Sequence, residues 1–88
     1  MQNLNSLREK LIINSHWPLL YMFKFIVPAQ MESIARVEAL FAPEAIIYRK
    51  ESRNKRFVSI TAKQQMASAD HIIGVYQQAG QIPGIMAL

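Results

Sequence analysis

The 88-residue chain has no cysteine, only three glycines and one tryptophan, and few acidic residues, six against ten lysines and arginines. Without a thiol it can build neither a disulfide framework nor a thiolate nucleophile or metal ligand. A small secreted domain usually depends on disulfide staples, so a thiol-free chain of this size is expected in a reducing cytoplasm. The scattered glycines, Gly74, Gly80 and Gly84, cannot supply a glycine-rich phosphate loop. A long hydrophobic run is missing too. The longest apolar stretch, residues 17–29, is interrupted by Lys24 and bracketed by Pro18 and Pro28, whereas a membrane-spanning helix takes about 20 apolar residues. The first residues carry mixed charge in Arg8, Glu9 and Lys10, and polar Asn14, Ser15 and His16 soon follow, so no secretory leader is expected.

What is present reads as globular. Hydrophobic residues make up 51% of the chain and charged residues 18%, a composition that favours a packed core over disorder. The length fits one domain over residues 1–88. A chain this short buries only about 60–65% of its unfolded surface, so the core is expected to be thin.

The positive charge is local. Within residues 49–56, RKESRNKR, Arg49, Lys50, Arg53, Lys55 and Arg56 stand against Glu51 alone, and this segment accounts for the whole net charge of +4. The remainder is balanced. The chain is a neutral domain with one basic projection.

Periodicity predicts the elements. Leu4, Leu7, Leu11 and Ile12 recur at helical spacing over 3–13, with Asn3 or Asn5 as N-cap. Residues 20–27 form a strand with Tyr21, Phe23, Phe25 and Val27 on one face and Met22, Lys24 and Ile26 on the other. Helical spacing returns over 29–41, with Met31, Ile34, Val37, Leu40 and Phe41 as the apolar stripe between Pro28 and Pro43. Strands over 45–51 and 56–63 flank Ser52-Arg53-Asn54-Lys55, where Asn54 suits a left-handed turn position. A hairpin centred on Arg53-Asn54 sets Ile47 opposite Ile60, Arg49 opposite Val58, Tyr48 opposite Ser59 and Lys50 opposite Phe57. A helix over 69–79 starts at the N-cap Ser68, buries Ala69, Ile72, Ile73, Tyr76 and Ala79, and ends at Gly80. Residues 84–88 make a short last strand.

After the first helix the order is β-α-β-β-α-β. Two right-handed crossovers around a hairpin give an α+β fold, the ferredoxin-like α/β plait, with a four-stranded antiparallel sheet and two helices on one face. Residues 1–18 are an N-terminal helical extension and 19–88 the core.

The segments "LREKL", "WPLLYMFKFIVPA", "ALF" and "RFVSITAKQQMASADHIIGVYQQAGQIPGIMAL" carry a likeness. Its best markers are residues 25–28, residues 58–61, residues 68–70 with Tyr76, and Ile82-Pro83-Gly84. With these the chain resembles the YbeD-like family of small bacterial proteins of unknown function. The resemblance implies a ferredoxin-like fold similar to amino-acid-sensing, ACT-type regulatory domains. It implies no activity and assigns no functional residue.

Three candidate sites remain. Arg49, Lys50, Arg53, Lys55 and Arg56 can focus a field on phosphates or on an acidic protein; the alternative is a solvated turn that guards a strand edge. The sheet face away from the helices holds Met22, Lys24, Ile26, Tyr48, Lys50, Phe57, Ser59 and Thr61. RNA-recognition domains stack bases on this face, but "KRFVSI" supplies one aromatic, Phe57, and lacks the glycine of their motif. A large bare apolar face is unusual in a monomer, so the N-terminal helix or a second copy in a homodimer is expected to cover it. An ACT-type ligand site needs glycine in the first strand–helix loop for close backbone approach, and Val27-Pro28-Ala29 has none.

Catalysis has little to stand on. His16 and His71 are the only histidines, Asp70 and His71 are helix neighbours that diverge, and no metal-ligand spacing is present. No cofactor is expected. The sequence reading is a cytoplasmic, non-enzymatic regulatory or adaptor module whose basic hairpin and sheet face bind a protein partner. Nucleic-acid binding through the same residues is the alternative, and an ACT-like small-molecule-sensing dimer the third.

Overall fold

A computed structural model describes residues 3–88. Its elements are α1 (Leu4–Asn14), β1 (Leu19–Pro28), α2 (Met31–Glu38), β2 (Ile46–Glu51), β3 (Phe57–Met66), α3 (Ala69–Ala79) and β4 (Met86–Ala87). The sheet runs β2-β3-β1-β4, and every neighbouring pair is antiparallel. With helices inserted after β1 and β3, this is the expected ferredoxin-like plait.

β1 organises the molecule. Its alternate residues Phe23, Phe25 and Val27 are fully buried, with Tyr21 half-buried beside them. They pack as a ring cluster: Phe23 lies 5.2 Å from Phe41 and 5.4 Å from Tyr76 between centroids, and the Tyr21 hydroxyl meets that of Tyr76 at 3.0 Å. Val37, Val58, Ile60, Ala62 and Ile72 complete the core. Burying one such aromatic side chain contributes about 1.5–3 kcal/mol.

α3 has the boundaries and buried face its sequence predicts, and the Ser68 hydroxyl accepts from the His71 N–H at 3.2 Å. α1 is capped by Asn3, whose side chain accepts from the N–H groups of Asn5 and Ser6.

Several expectations are corrected. α2 covers residues 31–38 rather than 29–41, because Pro28 still belongs to β1. Met31 falls off the stripe and is 89% exposed, while Ser33 takes a buried position. β3 continues to Met66 instead of stopping at residue 63. β4 is two residues long rather than five. Gly80 ends α3 in right-handed geometry; the glycine with positive φ is Gly84. A Cβ on Gly84 would also lie 2.9 Å from Pro28 Cγ, so shape and backbone both demand glycine there.

The hairpin register is displaced by two residues. Ile47 opposes Ala62, Tyr48 opposes Thr61, Arg49 opposes Ile60 and Lys50 opposes Ser59. The loop is longer than expected, and Lys55, not Asn54, adopts the left-handed conformation, with φ 59°. Asn54 acts through its side chain: Oδ1 accepts from the Ser52 hydroxyl and from the Arg56 N–H at 2.9 and 3.1 Å. The Ser52 hydroxyl in turn accepts from the Phe57 N–H. A two-residue displacement preserves which face each side chain occupies.

α1 does not cover the open sheet face. It packs in the helical layer against α3, where Leu11 is buried and Arg8 Nε stands 3.2 Å from Asp70 Oδ1.

Candidate functional site

Strand alternation assembles the site. The residues of β1 that point away from the core are Leu20, Met22, Lys24 and Ile26; those of β2 are Ile46, Tyr48 and Lys50; those of β3 are Phe57, Ser59, Thr61 and Lys63. Met86 joins from β4, opposite Ile26. Leu20, Met22, Ile46, Tyr48 and Met86 are each 54–59% exposed and Phe57 43%. Between these apolar groups stand Lys24, Lys50 and Lys63. No carboxylate stands among these groups; Glu51, the last residue of β2, and Glu44, just before β2, line the two ends of the face. Lys63 Nζ sits 5.9 Å from the centre of the Tyr48 ring, within cation–π range.

The basic hairpin borders this face. A groove of about 720 Å³ runs along Ile26, Phe57 and Met86 to Lys50, Ser52 and Arg53. Its floor is apolar, and its rim carries Lys50 and Arg53 with Glu51 between them in sequence. The Ser52–Asn54 hydrogen bonds brace the tip from which Arg53, Lys55 and Arg56 project.

Arg49 is placed apart from the other candidates. It stands on the helical side of β2 and binds the Glu38 carboxylate of α2 with two nitrogens, Nη2 to Oε1 at 2.7 Å and Nε to Oε2. The hydrogen bonds from Arg49 hold Glu38 below the usual carboxylate range, and Glu38 raises Arg49. Lys50 and Arg53 share the groove with Phe57, and Lys24 and Tyr48 stand on the same face; Lys55 and Arg56 are exposed in the hairpin loop, and the Arg49 side chain is turned to Glu38. Lys63 extends this face beyond Thr61, the last residue the sequence reading placed on it, although the alternation of "SITAK" runs through Lys63 within the expected strand.

Other features are less organised. His16, between α1 and β1, and His71, in α3, are both exposed, and among the described residues no three metal-ligating side chains gather. The β1–α2 loop borders a smaller cleft of about 360 Å³ with Ser33, Arg36 and Pro83, and Pro28 fills the space that Gly84 leaves. No helix among the described residues is long and apolar enough to cross a membrane.

The sheet order and the single helical layer define the class, a ferredoxin-like α+β domain with an open sheet face. The chain belongs to the family described as "Protein of unknown function (DUF493)", whose model matches residues 15–88, and this fits the YbeD-like resemblance of the sequence. α1 precedes the matched span. No curated protein and no solved structure matches.

Proposed function

We propose that the protein is a non-enzymatic adaptor or regulatory module of the cytoplasm that docks an acidic protein segment on its open sheet face and basic hairpin. The observation that carries this reading is the pairing of exposed apolar groups with Lys24, Lys50 and Lys63 on one sheet face, where carboxylates stand only at the two ends, Glu44 and Glu51. Apolar contact gives such an interface its affinity, and the lysines select the charge of the partner. The same charge argues against two of these faces packing on each other. A base-stacking role is less well supported, because the central positions of β1 and β3 hold Met22, Lys24, Ser59 and Thr61 while the aromatics Tyr48 and Phe57 lie towards β2 and the hairpin.

The test is affinity capture from native lysate, with and without nuclease, followed by titration of the purified captured protein. Arg53/Lys55/Arg56→Glu and Lys24/Lys50/Lys63→Glu variants serve as comparisons. The proposal expects a nuclease-resistant partner whose affinity falls at least tenfold in both variants. Retention of nucleic acid alone, or affinity indifferent to both charge reversals, would overturn it.

A further inference from the structure

The two long borders of the sheet differ. On the β2 side the edge carries Arg49, Lys50 and Glu51, which deter pairing with another chain. On the other side β4 pairs only with Phe25 and Ile26, and the Leu88 N–H reaches the Lys24 carbonyl at 2.9 Å. β1 is ten residues long. Among the described residues no strand lies beside Leu19, Leu20, Tyr21, Met22 and Phe23 on that side. This stretch has no charge and no proline.

The direction of its backbone groups follows from the ladder. The Ala29 N–H bonds Arg56 O on the β3 side, and Lys24 O accepts on the β4 side. Successive residues of an antiparallel strand alternate between the two sides. Leu20 and Met22 therefore aim both N–H and C=O at the uncovered edge, a ready template for a further strand.

We propose that this edge pairs antiparallel with the same edge of a second copy of the chain, about a two-fold axis at Tyr21. In that register Leu20 opposes Met22 of the other copy, and the reverse, so all four outward backbone groups of each copy find partners. Leu19 opposes Phe23, and Tyr21 opposes itself. The uncovered stretch matches itself in length, in apolar character and in hydrogen-bonding direction, as a two-fold interface requires. The pairing joins the two sheets edge to edge and leaves both lysine-bearing faces open on one side. It does not depend on the docking reading.

Light scattering over a dilution series tests the proposal. The natural chain should approach twice its 10.1 kDa mass, and Leu20→Lys/Met22→Lys should hold it at the monomer mass with a thermal midpoint that no longer rises with concentration and matches the natural chain at high dilution, since both side chains are exposed. A natural chain that stays monomeric into the millimolar range overturns the proposal. Register is read with cysteines, for which the thiol-free chain gives no background. Leu20→Cys and Met22→Cys should form a disulfide when mixed under oxidation, because opposed Cα atoms stand about 5.5 Å apart. Each alone should not, because the diagonal pair is about 7–8 Å apart. No cross-link in the mixture, or equal cross-linking in all three samples, rules out this edge. The cysteine experiment also decides the matter if the lysine variant fails to fold.

Discussion

The two faces of β1 are built from one run of residues and do opposite work. Tyr21, Phe23, Phe25 and Val27 are drawn into the core, while Met22, Lys24 and Ile26 stand in the open sheet face. Alternation by one residue separates what holds the molecule together from what it can offer a partner. Stability and recognition should therefore respond to different substitutions on the same strand.

Phe23→Ala is the most severe way to test that division. It empties a fully buried site among Phe41 and Tyr76 and should cost about 3–5 kcal/mol in denaturant unfolding. A loss below about 1 kcal/mol would mean that the cluster is not the core. Gly84→Ala should follow at about 1–3 kcal/mol, since it strains a positive φ and meets Pro28. Ser68→Ala removes the cap of α3 and should cost about 1 kcal/mol.

Glu38→Gln should cost under about 1 kcal/mol, because Arg49 is exposed and Glu38 only half-buried, so solvent screens the pair. Its pH dependence has a definite sign. Folding lowers the Glu38 pKa, so the unfolded chain binds the proton more readily. The contribution is present above the ordinary carboxylate pKa of about 4.3. It is lost as the pH falls through that value and on through the lower folded one. A difference between natural chain and variant that persists at the acid end would refute the assignment.

Lys24→Glu should change stability by no more than about 0.5 kcal/mol, yet weaken capture of an acidic partner. If it unfolds the chain, the open face of β1 is structural and the division between the faces fails.

The sequence made the faces of β1 legible because strand alternation has no competitor over "YMFKFIV", and it made α3 legible because cap, stripe and terminal glycine agree. The hairpin loop was harder. Asn54 reads equally as a left-handed residue or as a side-chain acceptor, and only Ser52 and Arg56 closing around Oδ1 decide for the longer loop. The placement of α1 was not legible either, since Leu4, Leu7 and Leu11 specify an apolar stripe but not the layer that receives it. Arg49 belongs with Glu38 through a contact eleven residues apart, which a reading of local charge density groups instead with its neighbours.

The brevity of β4 also sets the amides of β1 on different clocks. In the isolated chain the Leu20 and Met22 N–H groups face solvent, while those of Tyr21 and Phe23 face β3. Hydrogen–deuterium exchange should run fast and slow in alternation along these four residues, and the fast pair should slow wherever a further strand closes the edge.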